Sequence, residues 1–573
     1  MENIYILMII ALVALAAIDL VVGVSNDAVN FLNSAIGSKV VSMRTIMIVA
    51  SLGIAIGAIF SSGMMEVARK GIFNPGEFYF NEIMIIFMAV MVTDVLLLDF
   101  FNTLGMPTST TVSIVFELLG AAVAMAVIKI MTAEDESLAN LSQYINTEKA
   151  VLIISGIFLS VVVAFSIGAI VQYLSRLFLS FNFEQKPKIY GALFSGIALT
   201  AITYFIFMKG LKGTSYYADI KGSLEGNETM IIAIAFLIWT SLSYFLTVVL
   251  KFNLYKIIIT VGTFALALAF AGNDLVNFIG VPMAAWNSYE AWSVSGVSAN
   301  EFSMEVLAGK VPTPSLFLFI AGMIMVVTLW FSSKARKVAA TEVNLARQSE
   351  GHERFEPNAM SRIIVRSSLG LMNTISAVIP NGIKQGIERK FDKPVVNLPK
   401  NKSYELPAFD AVRASTNLMV AGILISIATS YNLPLSTTYV TFMVAMGTSL
   451  ADRAWDRESA VYRVAGVLNV IGGWFFTAFV AFLTAGIFTY LIHLGGITAV
   501  GLILLLVLVL LAKNYIRHRK EEKEKAQERV IKRAELITAK EVIDETSDHI
   551  AEVVSRVKKL HSNVVKDLSL IHI

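Results

Sequence analysis

Gly23 to Asn30 reads Gly-Val-Ser-Asn-Asp-Ala-Val-Asn, and Ala271 to Asn277 reads Ala-Gly-Asn-Asp-Leu-Val-Asn. Each stretch sets an Asn-Asp pair, with a second Asn three residues after the Asp, inside a run that is otherwise apolar. Such groups are costly against lipid, so both stretches have to face protein or a water-filled cavity. A second motif recurs in the same order. Pro-Thr-Ser-Thr-Thr (Pro107 to Thr111) returns as Pro-Leu-Ser-Thr-Thr (Pro434 to Thr438), and each copy opens an apolar run.

The runs around these motifs give the fold class. Of 573 residues, 56% are hydrophobic and 16% charged, and the mean hydropathy is +0.69, above what a water-soluble surface carries. Apolar runs of membrane-spanning length lie near 4–24, 44–63, 82–101, 107–130, 150–171, 190–208, 230–249, 255–272, 315–332, 412–430, 434–450, 464–491 and 497–512. They predict an all-α polytopic membrane protein of about twelve to thirteen membrane helices. The first run has no basic segment before it and reads as a span, not a cleaved signal. Charge is concentrated elsewhere: residues 333–411 hold 13 Lys/Arg and 8 Asp/Glu, and residues 513–573 hold 14 and 11. A cytoplasmic helical insertion and a charged cytoplasmic helical tail are therefore expected. With the N-terminus outside, both segments and the loop with Arg176, Lys186 and Lys188 fall in the cytoplasm, as the positive-inside rule asks. The acidic loop of Glu134, Asp135 and Glu136, and the loop 287–314, then fall outside. The absence of Cys excludes disulfides and thiolate chemistry, and a net charge of +3 gives no reason to expect nucleic acid.

The first Asn-Asp pair lies on the first run and the second on the eighth, an odd separation, so the two halves have opposite orientation. Inverted repeats with interrupted helices are a transporter signature. The predicted division is a first inverted repeat at 1–130, connecting helices at 131–250, a second repeat at 251–332 and 412–452, the insertion at 333–411, further membrane helices at 453–512, and the tail at 513–573. Unwinding at the Asn-Asp pairs would free carbonyls for a cation beside the carboxylates of Asp27 and Asp274. Pro in a first turn and Ser or Thr at its cap make a helix N-terminus suited to an anion. A multivalent oxyanion beside two carboxylates is repelled unless a cation or proton neutralises them, so anion and cation should bind together, as in symport. A lone Asn-Asp pair is as often a helix-helix hydrogen-bond device as a site, and a lone Pro-X-Ser-Thr-Thr is more often just a helix start; the paired, order-preserving, orientation-inverting recurrence favours a site. Asp19, Asp94, Asp99 and Glu117 also fall in apolar runs, with structural and ion-handling roles equally open.

Gly23 to Lys39, with its Asn-Asp pair and closing Gly-Ser-Lys, resembles the first signature of the inorganic phosphate transporter family, and Gly272 to Pro282 resembles the second copy. The Pro-X-Ser-Thr-Thr runs are similar to the family's Pro-Val-Ser-Thr-Thr-His elements, and the resemblance spans about residues 1 to 500. It implies a secondary carrier that imports inorganic phosphate with Na⁺ or H⁺, with no other cofactor and no enzymatic activity, in the cell membrane (the inner membrane of a Gram-negative source). Ser109, Thr110, Thr111, Ser436, Thr437, Thr438, Asn26 and Asn273 are then the expected phosphate ligands. Asp27, Asn30, Asp274 and Asn277 are the expected cation-coupling residues, with Na⁺ at Asp27 and Asp274. Phosphate and membrane lipid are the expected partners, with a homodimer left open. Departures are Ser25 for Ala, Ala28-Val29 for Val-Ala, and Val112 and Tyr439 where the family often has His; the missing His favours Na⁺. Competing readings are a sulfate symporter of the same family, a membrane-embedded metal-dependent enzyme using the two Asp residues, and a passive channel.

Within the insertion, Ser361 to Lys390 reads either as an amphipathic helix on the inner leaflet or as a solvated linker. In the tail, Val530, Ile531, Leu536, Ile537, Val542, Ile543, Ile550, Val553 and Val554 recur at helical spacing and predict an amphipathic helix pair. The last six residues, Leu-Ser-Leu-Ile-His-Ile, break the charge pattern and match one reading frame of a sequencing adapter. They raise the expectation that the chain continues past about Asp567 into a helical-bundle regulatory domain resembling the PhoU family. The alternative is a short tail packed on itself or on a neighbouring subunit.

Overall fold

In a computed structural model of the chain, residues 2–59, 71–133, 137–205, 226–309, 314–347, 356–378, 380–392, 407–430, 435–454 and 457–571 are described. The described residues are helical apart from short connections and two isolated bridges, Phe73 with Ile145 and Tyr79 with Ser303. The long helices, in chain order, are α1 (Glu2–Asp27), α2 (Val29–Ser38), α3 (Met43–Ile59), α4 (Phe80–Leu104), α5 (Thr110–Thr132), α6 (Thr147–Leu179), α7 (Lys188–Phe205), α8 (Glu228–Val248), α9 (Leu254–Ser295), α10 (Ser315–Phe331), α11 (Ser333–Ala346), α12 (Ala359–Val378), α13 (Asn381–Glu388), α14 (Ala411–Ser430), α15 (Thr437–Ala451) and α16 (Arg457–Ile571).

Every apolar run read from the sequence has most of its described residues on one of these helices. Among the described residues, eight helices are long and apolar enough to cross a membrane, and α3 and α10 are shorter apolar helices. The runs 464–491 and 497–512 share α16 and are separated by Gly496, whose φ of 55° and ψ of −141° no helix interior holds. The chain divides into two compact units, Met1–Val507 and Leu508–Ile573. The second unit is one helix to Ile571, not the expected pair, because no Gly or Pro follows Gly501 to turn it. Its Val553, Val554 and Val557 are exposed. The final His572 and Ile573, like the acidic loop Glu134 to Glu136, lie outside the described residues.

The first unit is organised around α1 and α9, the two helices with Asn-Asp pairs. α1 packs on α4, α10 and α9, and α9 packs on α3, α14 and α7. Their close approach depends on glycine. A Cβ at Gly23 would stand 2.0 Å from Cε1 of Phe278, and one at Gly57 of α3 would stand 2.4 Å from the Leu268 carbonyl oxygen. The first clash involves a ring that can turn, the second a rigid backbone atom, so Gly57 is the stricter requirement.

The expected interruption at the Asn-Asp pairs is not found. α9 runs unbroken through Asn273 to Asn277, and also through Pro282. Between α1 and α2 only Ala28 leaves the helix assignment; its φ of −54° and ψ of −28° are still helical. The ladder continues through it, with the Ala28 amide on the Val24 carbonyl at 3.0 Å and the Leu32 amide on the Ala28 carbonyl at 3.1 Å. The physical reason is that the Asn and Asp side chains have partners across the bundle and do not compete for their own backbone. The helices do break before the Ser-Thr-Thr runs, between Leu104 and Thr110 and at Leu435 and Ser436. Pro107 lacks an N–H and disfavours helix at Met106; Pro434 lies outside the described residues.

Candidate functional site

Ser109 and Ser436 are the N-caps of α5 and α15. Each Oγ accepts a backbone N–H three residues on, from Val112 and from Tyr439, both at 3.1 Å. The cap satisfies one of the four N–H groups a helix start leaves open, and the amides of the first helical residues remain available. Both helix starts point their next two residues at the Asn-Asp helices, and they do so by exchange. Asp27 accepts a hydrogen bond from Thr110 at 2.9 Å and one from Thr438 at 3.3 Å. Asp274 accepts one from Thr437 and one from Thr111 at 3.1 Å. Asn30 donates to Thr437 and Thr438 at 3.2 and 3.0 Å, and Asn277 donates to Thr110 and Thr111 at the same two distances. Exchanging the halves (27 with 274, 30 with 277, 110 with 437, 111 with 438) maps this network onto itself. All eight side chains are buried.

The first Asn of each pair has a different job. The Asn26 amide donates to Asn102 at 2.8 Å and to the Met106 carbonyl at 3.3 Å, and its oxygen accepts the Thr108 amide at 2.9 Å. Asn102 in turn donates to the Val22 carbonyl at 2.7 Å. Asn26 thus pins the extended segment ahead of α5, next to Ser109 and Thr110. Asn273 donates to the Leu435 carbonyl at 3.1 Å and to Asp274 at 2.9 Å, the corresponding place ahead of α15.

Three contributors escaped the sequence reading. Trp474 of α16 donates its indole N–H to the Pro107 carbonyl at 3.2 Å and stacks on Tyr439 with ring centroids 3.8 Å apart, so one buried side chain braces both helix starts. Asp452, at the C-cap of α15, is gripped by Arg176 of α6 through Nε at 2.7 Å and Nη2 at 2.8 Å, with Gln172 at 2.6 Å, all fully buried. This fixes the far end of the helix whose near end carries Ser436 to Thr438. The third is α11, the first part of the polar insertion, which packs on α2, α1, α15 and α4. Its signal was in the sequence: Ala335, Val338, Ala339, Glu342, Leu345 and Ala346 repeat at helical spacing, and all are buried. Of the remaining intramembrane acids, Asp99 pairs with Lys334 of α11. Glu117 accepts from Ser113 at 2.6 Å, and Asp19 and Asp94 are fully buried.

The donor set is all oxygen and amide. Two carboxylates, four threonine hydroxyls and the Asn carbonyl groups suit a hard monovalent cation, and hydroxyls with helix-start amides suit an oxyanion. Among the described residues no group of three or more His, Asp or Glu side chains could hold a metal ion. The sequence matches the phosphate transporter family over residues 23–342. The chain belongs to the phosphate transporter family. A Thermococcus kodakarensis protein named "Putative phosphate permease" is similar to this transporter at 24% identity over 388 residues, covering 64% of this chain and 86% of its own. A Pyrococcus furiosus protein of the same name is 23% identical over 382 residues, covering 64% and 84%. A solved structure described as "The sodium-dependent phosphate transporter" has the same fold, with a TM-score of 0.56 at 16% identity over 85% of this chain and 99% of that chain. The transporter is a multi-pass helical membrane protein.

Proposed function

We propose that this transporter is a Na⁺-coupled importer of inorganic phosphate, with the anion bound between two inverted repeats at the starts of α5 and α15. The reciprocal threonine network carries the reading. A threonine hydroxyl has one proton to donate, and Thr110, Thr111, Thr437 and Thr438 all direct theirs to Asp27 or Asp274. Na⁺ taken up by the two carboxylates competes for the same oxygens and frees those protons for phosphate. It also cancels a repulsion of about 4 kcal/mol per charge pair at 4 Å in a medium of effective dielectric 20. Cation and anion therefore raise each other's affinity by the same factor. Asn30 and Asn277, which donate to the hydroxyls, hold them in this arrangement. The positive-inside pattern supports an external N-terminus with insertion and tail in the cytoplasm.

The roles of Ser and Thr separate under mutation. Thr110→Ala and Thr437→Ala are expected to weaken phosphate affinity by about 1 to 3 kcal/mol each, the cost of one lost buried hydroxyl. Ser109→Ala and Ser436→Ala remove a cap and are expected to cost about 0.5 to 2 kcal/mol of helix stability as well. Phosphate titration of the purified variants in saturating Na⁺ checks this. Unchanged affinity in all four would leave these runs as ordinary helix starts.

A further inference from the structure

α11 opens the charge-rich stretch 333–411, yet it is tied down at both ends and along its buried face. Its N-cap Ser332 donates to Ser25 at 2.7 Å, Lys334 pairs with Asp99 of α4, and Thr341 donates to the Gly105 carbonyl at 2.9 Å. Val338 and Ala339 pack on Val29 of α2. At its far end Arg413 donates to the Ala346 carbonyl and Arg463 to the Arg347 carbonyl. These contacts fall on the segments that carry the site: Ser25 precedes Asn26, Gly105 caps the helix before Pro107, and Val29 precedes Asn30.

At the centre of this interface is Glu342. It is fully buried, and its Oε1 accepts a hydrogen bond from Asn33, one turn along α2 from Asn30. Among the described residues, two acceptors in this contact have no hydrogen-bond partner, Oε2 of Glu342 and Oδ1 of Asn33. A neutral carboxyl has one O–H to give, and the side chain it already meets has one unused acceptor. An ionised carboxylate here has, among the described residues, a single donor for two oxygens and no cation paired with it.

We propose that Glu342 and Asn33 form a proton-binding site of the transporter: the proton on Glu342 latches α11 across the helices of the substrate site, and its loss releases α11. What the latch controls rests on the reading of that site as the transport site. The charged residues on the packed helices do not substitute for the proton. α2 and α15 carry none, α1 carries Glu2, Asp19 and Asp27, and α4 carries Glu82, Asp94 and Asp99. Asp27 is held by threonines, Asp99 by Lys334 and Glu82 by Lys129. Arg413, Arg463 and Asp452, the nearby charges at the far end, bond to backbone or to Arg176. Burial pushes Glu342 up to about 8, the Asn33 amide pulling slightly the other way. The sign follows. Docked Glu342 keeps a proton that the released glutamate sheds, so docking is strongest in acid, weakens as pH rises from about 5, and reaches its floor above about 8.

The chain has no cysteine, so a single introduced thiol reports without background. Val338→Cys places it under α11, where Val338 is 0% exposed, and Ala340→Cys places a control on the exposed face of the same helix. Both full-length proteins in lipid nanodiscs are labelled with a maleimide across pH 5.5 to 9. The ratio of the two rates cancels the titration of the thiol itself. The ratio is expected to climb by up to about tenfold per pH unit and to level off above about pH 8. In the Glu342→Gln background, where the side chain is permanently neutral, it is expected to stay flat and low. A flat ratio with Glu342 present, or an equal climb in Glu342→Gln, overturns the latch. Ala339→Cys repeats the measurement if Val338→Cys does not fold. No phosphate is used, so this outcome is independent of the transport reading.

Discussion

Asp27→Asn or Asp274→Asn is expected to abolish concentrative phosphate uptake, to the level of empty liposomes, while leaving folded protein in the membrane. Asn has the shape of Asp, and its amide oxygen still accepts a hydroxyl proton, so the contacts of Asp27 with Thr110 and Thr438 are kept in part. The partner hydroxyl facing the new NH₂ can rotate to accept. What Asn lacks is the charge that, in the proposed mechanism, draws Na⁺ into the bundle, and with it the neutralisation that would admit phosphate. The exchange symmetry makes the prediction sharper: the two variants should fail alike, because each carboxylate receives one hydroxyl from α5 and one from α15. Uptake assays in proteoliposomes matched for protein content check it, and wild-type uptake by both variants would remove the carboxylates from the mechanism.

The largest expected loss of stability lies away from the substrate. Asp452→Asn leaves Arg176, which is fully buried, facing a neutral amide where it now has a bidentate carboxylate. Arg413, 3.8 Å from the same carboxylate and fully buried, loses its counter-charge too. Removing one partner of such a pair typically costs about 3 to 5 kcal/mol, because the desolvated charge remains. Asp410 still reaches Arg176 at 2.7 Å and keeps the cost from rising further. Thermal unfolding in detergent is expected to show a large drop for Asp452→Asn. Removing Glu82 from its partly exposed pair with Lys129 is expected to cost about 1 kcal/mol or less.

Much of this architecture was legible before any coordinates. Membrane helices announce themselves by length and hydropathy, and the described part of each run from 4–24 to 497–512 is mostly helix. The candidate site was legible as a cluster because its residues occur twice: a buried Asn-Asp or a Ser-Thr-Thr cap alone is ambiguous, but their ordered recurrence named Asp27, Asn30, Thr110, Thr111 and their counterparts, which the fold brings together. The state of the backbone at Asn26-Asp27 and Asn273-Asp274 was not legible, since whether a polar pair unwinds its own helix depends on what other helices offer it. Here Thr110, Thr438, Thr111 and Thr437 come from segments more than eighty residues away. The docking of α11 was missed for the opposite reason. The overall charge of 333–411 concealed a short apolar stripe, and the buried Glu342 broke that stripe with a charged residue type that argues for exposure. Trp474 gave no signal at all, since an aromatic in an apolar run is ordinary until its N–H is seen on the Pro107 carbonyl.

The most direct test of Na⁺-coupled phosphate import is uptake of labelled phosphate into proteoliposomes with Na⁺ and pH gradients imposed one at a time. An inward Na⁺ gradient at equal pH should drive accumulation above the external concentration, a proton gradient without Na⁺ should not, and excess unlabelled sulfate should leave the signal intact. Accumulation driven by the proton gradient alone, or none under either gradient, would contradict the account.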